Sequence, residues 1–253
     1  MPLFRLCGKV AEDGNLISRL NLRSPDLQAG YLAYLFYEDH QNLMDAALAH
    51  VIENGRAADT PLVMIICDWL IREHRAKKAA TIWNRLTEAK RIPFEAVDVS
   101  APSLTNGRFE TEPSSHGFDW RIAENPGVTL LRLSLGQGIR ILFSGRQSEN
   151  CEPLFEFVPV AGNTRYQVRF SYRTSGISAG SGLRWRVVDA DTGRDLSQTD
   201  SLASDTEAQS RVAFVTPQTT QLVRLALSYE RTPGTTRIEG FIIIREVDLY
   251  RVD

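Results

Sequence analysis

The stretch Asn163-Thr164-Arg165-Tyr166-Gln167-Val168-Arg169-Phe170-Ser171-Tyr172-Arg173 decides the fold. Tyr166, Val168, Phe170 and Tyr172 alternate with Arg165, Gln167, Arg169, Ser171 and Arg173. A period of two with one apolar row predicts a strand buried on one side and wet on the other. The same grammar recurs on both sides of it. Leu183, Trp185 and Val187 alternate with Arg184 and Arg186, and Val223, Leu225, Leu227 and Tyr229 alternate with Arg224 and Ser228. Ala161-Gly162-Asn163, Asp191-Thr192-Gly193 and Thr232-Pro233-Gly234 supply turn chemistry between the runs. No helical period intervenes, which excludes parallel βαβ units. About nine or ten strands fit, as expected of an antiparallel sandwich of jelly-roll type. The closing segment from Ile238 to Val252 contains Phe241-Ile242-Ile243-Ile244. It reads as a central strand covered on both faces.

Upstream the grammar changes. Of the 17 glycines, 4 precede residue 100, and all 4 lysines (Lys9, Lys77, Lys78, Lys90) lie there too. Helices avoid glycine and hairpin turns use it, so an α part precedes a β part. Residues 24–91 predict four helices. Ser24-Pro25-Asp26 and Thr60-Pro61 carry start signals, while Asn54-Gly55 and Pro93 carry stops. An offset of 34 pairs Leu35 with Trp69, Phe36 with Leu70, and Asp39-His40 with Glu73-His74. Helix pairs at that period resemble tetratricopeptide repeats. Residues 1–23 have room for one more helix. The expected class is thus α+β and multidomain. Helical hairpin repeats over 1–99 precede an antiparallel β-sandwich (jelly roll) over 103–253.

The chain of 253 residues has a net charge of −2, with 43 % hydrophobic and 24 % charged residues. These values exclude wholesale disorder and argue against a basic nucleic-acid binder. No apolar run approaches the roughly 18 residues of a membrane span. The opening MPLFRLCGKVAEDGN is not a secretory signal as it stands. Cys7, Cys67 and Cys151 form no CxxC pair, which excludes zinc-ribbon and thioredoxin chemistry. His40 and His74 read as polar residues at helix turns, with no ligand partner at metal spacing. Tyr31, Tyr34 and Tyr37 recur every three residues, as core or groove packing does. Gly176-Ile177-Ser178-Ala179-Gly180 matches G-x-S-x-G but lies between two predicted strands, where no nucleophile elbow forms. His116, Glu149, Glu152 and Glu156 show no diagnostic catalytic spacing. The chain is therefore expected not to be an enzyme.

Three segments of the β half occur together in order: Leu104-Thr105-Asn106-Gly107-Arg108-Phe109-Glu110 followed by Gly117-Phe118-Asp119-Trp120; the Asn163–Arg173 stretch; and Arg245-Glu246-Val247-Asp248-Leu249-Tyr250. Together they resemble carbohydrate-binding modules with the galactose-binding-like jelly roll, over roughly residues 103–252. A helical repeat leading into such a module resembles bacterial tetratricopeptide-repeat proteins, sometimes linked to exopolysaccharide export. The resemblance implies a non-catalytic polysaccharide-binding module, with the helical half offering a surface to a protein partner. It also implies a cell-envelope or extracytoplasmic setting. The alternative is a structural scaffold of a cell-envelope or export assembly with no glycan ligand.

By the same resemblance, Glu110 and Asp248 correspond to acids that hold a structural calcium. Most of its 6–8 oxygens would have to come from backbone carbonyls. Such modules stack sugars on an aromatic ring. Trp120 and Trp185 are the candidates, although each shares parity with apolar neighbours, which favours a core anchor over a platform. The polar row carries Arg169, Arg173, Arg184, Arg186 and Arg224 instead. Guanidinium groups make bidentate contacts to carboxylates, so this row is read either as a solvated surface or as a binding face for anionic glycans. Packing of this face against the helical half is a third reading.

Overall fold

The computed structural model describes residues 24–134 and 136–252. The chain divides into two compact units, one ending at Pro93 and one starting at Phe94. Composition had placed the change a few residues later, around 99–103.

The first unit holds four α-helices among the described residues: α1 (Pro25–Tyr37), α2 (Gln41–Asn54), α3 (Thr60–Arg72) and α4 (Ala76–Glu88). Helix α1 packs on α2, α3 packs on α4, and α2 meets α3. Pro25 and Pro61 stand in the first turns of α1 and α3, where a missing N–H costs nothing. Buried positions and helix ends of the two hairpins correspond at an offset of 35, not 34. Gln28, Tyr31, Leu32 and Leu35 are buried in α1, as Val63, Ile66, Cys67 and Leu70 are in α3. Met44, Ala47, Leu48 and Val51 are buried in α2, as Ala79, Ile82, Trp83 and Leu86 are in α4. The helix ends keep the same count. Asp39 and His74 both adopt left-handed φ, 60° and 56°. Beyond them the amides of His40 and Arg75 donate to the carbonyls of Leu35 and Leu70, each at 2.8 Å. His40 is therefore equivalent to Arg75 rather than to His74. The Tyr34 ring lies 5.3 Å from the imidazole of His40. No helix of the described residues is long and apolar enough to cross a membrane.

The second unit is a sandwich of two five-stranded antiparallel sheets. Its strands are β1 (Arg121–Ile122), β2 (Val128–Arg132), β3 (Ile139–Ser144), β4 (Asn150–Pro159), β5 (Arg165–Ser175), β6 (Leu183–Asp189), β7 (Asp195–Gln198), β8 (Ala208–Val215), β9 (Leu222–Glu230) and β10 (Glu239–Arg251). The first sheet runs β1-β4-β9-β6-β7 and the second β2-β3-β10-β5-β8. Except at the hairpins β2–β3 and β6–β7, each strand is followed by one in the other sheet, as in a jelly roll. Strand β10 lies between β3 and β5, the central place expected of its apolar run. Ile242 and Ile244 are fully buried, and a register shift between Ile244 and Glu246 marks a bulge.

The segment 104–120 lies over one side of this sandwich as a strap. Gly107 is needed there because a Cβ would come within 2.3 Å of the Val247 carbonyl. The Val247 amide donates to the Gly107 carbonyl at 2.8 Å, fastening the strap to β10. Phe109 has a φ of 54°, a costly conformation for a bulky residue. It is held by stacking on Trp120, with centroids 5.2 Å apart. Trp120 in turn meets Trp185 of β6 at 5.9 Å, and Trp185 meets Phe170 of β5 at 6.0 Å. This aromatic chain joins strap, first sheet and second sheet. Truncating its middle ring in Trp185→Ala should cost about 3–5 kcal/mol. The check is a urea denaturation midpoint, with Trp185→Phe losing clearly less.

Candidate functional groove on the second sheet

Outward positions of β5 include Gln167, Arg169, Ser171 and Arg173, between inward Tyr166, Val168, Phe170 and Tyr172. The ladder sets Arg169 directly across from Arg211 of β8 on one side and Asp248 of β10 on the other. Gln167 lies opposite Tyr250, and Ser171 opposite Gln209. The result is a shallow groove of about 290 Å³ lined by Gln167, Arg169, Gln209, Ser210, Arg211 and Tyr250.

Its polar groups are preset. Arg169 donates from Nη2 to the Tyr250 hydroxyl at 3.0 Å, and that hydroxyl donates to Gln167 Oε1. The Arg169 guanidinium stands 5.0 Å from the Tyr250 ring centroid, a cation–π distance. The Arg211 side chain, across the ladder, makes no hydrogen bond or ion pair among the described residues. Two guanidinium groups in directly opposed positions repel each other. On the β10 side, partial desolvation on the sheet surface holds the carboxyl of the otherwise exposed Asp248 above its ordinary range. Glu246 adds to the rise, and Arg108 and Arg169 pull it back. Arg108 also forms an ion pair with Glu246 at 2.8 Å.

The sequence-derived candidates separate. Arg169 and Arg173 face outward from the second sheet. Arg184 and Arg186 belong to β6 and face outward from the first sheet, as does Arg224 of β9. The single arginine face of the sequence reading is therefore two faces on opposite sides of the sandwich. Arg186 is also occupied: it meets Asp195 at 2.8 Å and Glu152 at 3.3 Å, and Glu152 takes Arg224 at 3.2 Å. Trp120 and Trp185 are both 0 % exposed. Neither presents a ring to a sugar, because both are spent on the aromatic chain between the sheets. Glu110 and Asp248 are exposed strand-end and loop acids, and both lie within the electrostatic reach of Arg108. No group of three or more His, Cys, Asp or Glu that could hold a metal occurs among the described residues.

Tyr250, Gln209 and Arg211 were not singled out from sequence. A signal for the last two existed: Gln209, Arg211, Ala213 and Val215 alternate with buried Val212 and Phe214. A larger cleft of about 710 Å³ opens at one end of the sandwich, among the connections β3–β4, β5–β6 and β9–β10. Ser178 of the G-x-S-x-G segment lines it, in a strand-to-strand loop. Its arginines are engaged, since Arg231 and Arg237 both pair with Glu149, at 3.1 and 3.3 Å. No aromatic ring lines it.

No protein-family model matches the chain, and no curated protein matches it by sequence. Solved structures do resemble it. One is a carbohydrate-binding module of family 4, 12 % identical, covering 59 % of this chain and 99 % of that one at a TM-score of 0.45. Another is a family 61 module solved with β-1,4-galactotriose, 18 % identical, covering 58 % and 96 % at a TM-score of 0.39. A third is a structure of endo-1,4-β-D-xylanase 10B from Clostridium thermocellum, spanning a family 22 module and its family 10 glycoside hydrolase module. It is 12 % identical and matches 60 % of this chain but only 28 % of that one, at a TM-score of 0.38. The likeness is one of fold.

Proposed function

We propose that the β unit is a non-catalytic module that binds acidic polysaccharide along the outer groove of the second sheet. The observation that carries this reading is the cross-strand pair Arg169 and Arg211, in which Tyr250 holds Arg169 and the Arg211 guanidinium is unengaged. A carboxylate-bearing chain laid along the groove would bridge two cations that otherwise repel. Arg173 extends the same outward row by four residues, about 13 Å at the usual strand rise. That length suits a chain of sugars better than one ring. Tyr250 offers a partly exposed aromatic edge, and Gln167 and Gln209 offer amides to hydroxyls. Binding of this kind is shallow, weak and salt-sensitive. The helical unit, on this proposal, contributes a surface for a protein partner.

The test is titration of the whole chain with polygalacturonate and with cellohexaose as a neutral control. Arg211→Ala and Tyr250→Ala should each weaken binding to polygalacturonate about tenfold, the loss of one charge-assisted contact. Arg186→Ala, on the other face, should leave it unchanged. Equal binding of both glycans, or indifference to Arg211→Ala, rejects the reading.

A structural calcium at Glu110 and Asp248 is a separate proposal. Its two carboxylates are hard donors of the right kind, and backbone carbonyls must supply the remaining oxygens. On this proposal the thermal midpoint rises when calcium replaces chelator, and Glu110→Gln removes the rise. A midpoint blind to chelator ends it.

A further inference from the structure

The outer face of the second sheet changes chemistry beyond Arg173. Its inward residues there are Ile139, Ile141 and Phe143 of β3, and Ile242 and Ile244 of β10. Outward positions of a wet sheet face are expected to be polar. Yet Leu131 of β2, Leu142 of β3 and Ile243 of β10 stand outward. The ladder orders them. One row runs Leu131, Arg140, Ile243, Arg173 across β2, β3, β10 and β5. The next runs Thr129, Leu142, Phe241, Ser175. Leu142 therefore lies opposite Phe241 and diagonal to Leu131 and Ile243, neighbours that long side chains reach. Leu131 is 49 % exposed, Leu142 and Phe241 are half-buried, and Ile243 forms the floor at 7 %. Through Arg173 this apolar patch continues the outward row of Arg169.

The charges around the patch select its occupant. Arg140 and Arg173 flank Ile243, and neither makes a hydrogen bond or ion pair among the described residues. A second copy of the chain turned onto this face would set arginines against arginines, whereas an anionic chain is drawn in. Arg140 stands 4.4 Å from the Phe241 centroid, so a guanidinium already holds that ring. What stays open is aliphatic, which suits a methyl group and not a stacked sugar. Lying over the ring, Arg140 can still donate at its edge. Beyond Phe241 the outward acid is Glu239, opposite Ser144 and without an ion-pair partner among the described residues. Negative charge on a ligand is therefore favoured at Arg169, Arg211 and Arg173 and disfavoured past the patch.

We propose that this patch reads a short acyl ester, of the acetyl kind, carried by the acidic polysaccharide. The inference rests on the function proposed above and narrows its ligand class to O-acylated acidic chains. Carboxylates meet Arg169 and Arg211. The acyl methyl lies over Leu131 and Leu142, and the ester carbonyl accepts from Arg140. The two features are separated by about the four-residue run from Arg169 to Arg173, about 13 Å at the usual strand rise. Ile243 closes the floor, so a short acyl group suits it better than a fatty chain. Removing one methyl group from water there should tighten binding about fourfold.

The experiment titrates the whole chain with partially O-acetylated polygalacturonate, and with the same sample after mild alkaline removal of its esters. The acetylated sample should bind about fourfold tighter. Leu131→Thr and Leu142→Thr should each abolish that preference and leave affinity for the de-esterified sample unchanged. Threonine keeps the strand preference of these positions, and Leu131 is exposed on an edge strand, so at least that variant folds. Arg211→Ala should weaken both samples about tenfold and leave their ratio intact. Equal binding of the two samples overturns the acyl inference and leaves the acidic-glycan reading standing. A preference that survives both threonine variants also overturns it. So does a sedimentation profile that is dimeric for the wild type and monomeric for Leu131→Thr, which assigns the patch to a second copy. Binding of neither sample rejects the acyl inference together with the acidic-glycan reading.

Discussion

Everything in the β unit depends on two sheets closing on each other through their inward rows. The inward positions of β3, β5 and β10 meet those of β4, β6 and β9, so each must be apolar at once. Water leaves that interior, and about 25 cal/mol per Å² of apolar area comes with its departure. The constraint also determines what chemistry remains. Large rings at inward positions, such as Trp120 and Trp185, are consumed by closure. A ligand can meet only outward side chains standing on a pleated surface. The groove is therefore shallow, and its strength must come from hydrogen bonds, ion pairs and one partly exposed ring rather than from an enclosed pocket.

Parity was legible in the sequence; adjacency was not. The alternation over 165–173, 183–187 and 223–229 correctly separates inward from outward residues. It does not say which sheet a strand joins. Arg169 and Arg184 have the same outward character, yet β5 and β6 lie in different sheets because the connection between them crosses the sandwich. Tyr250 was hidden for a different reason. Counting in twos from Ile242 and Ile244 puts it inside. The bulge between Ile244 and Glu246 adds one residue, so Val247 and Leu249 become the inward pair and Tyr250 turns out. The helical repeat was missed by one residue in a similar way. Chance identities favoured an offset of 34, while burial and the left-handed helix ends obey 35.

Glu156 is the clearest departure from the closure constraint. From sequence it was an acid on a strand with no diagnostic spacing, yet its parity with Leu154 and Val158 already placed it in the inward row. A buried carboxyl without a cation costs several kcal/mol if ionised. Replacing one in a core by a hydrocarbon is often neutral or stabilising. What a hydrocarbon could not do is hold the Thr105 amide, which reaches Glu156 from a segment that is not part of any sheet. The strap has no ladder of its own. It is attached by a few polar contacts (the Thr105 amide to Glu156, the Val247 amide to the Gly107 carbonyl, Arg108 to Glu246) and by the buried rings of Phe109 and Trp120. Directional bonds set its register where apolar contact alone would let it slide.

The absence of lysine beyond residue 90 also has a physical use in this unit. Outward aromatic rings on a sheet would expose apolar faces to water. Here arginines cover them: Arg140 stands 4.4 Å from the centroid of Phe241, Arg121 5.2 Å from Phe157, and Arg224 5.8 Å from Phe155. A planar guanidinium can lie over a ring and still donate at its edges, as Arg121 does to two carbonyls. A lysine ammonium is more strongly hydrated and would cover less. Arginines used in this way are committed, as are those paired with Glu149 and Glu152. Once they are set aside, Arg165, Arg173, Arg211 and Arg251 remain on the second sheet, and of these Arg211 lies opposite an arginine that already has a tyrosine partner. Total positive charge did not locate the groove, since 17 arginines are spread over this half of the sequence. What located it was the charge left over after the protein's own rings and acids had been served.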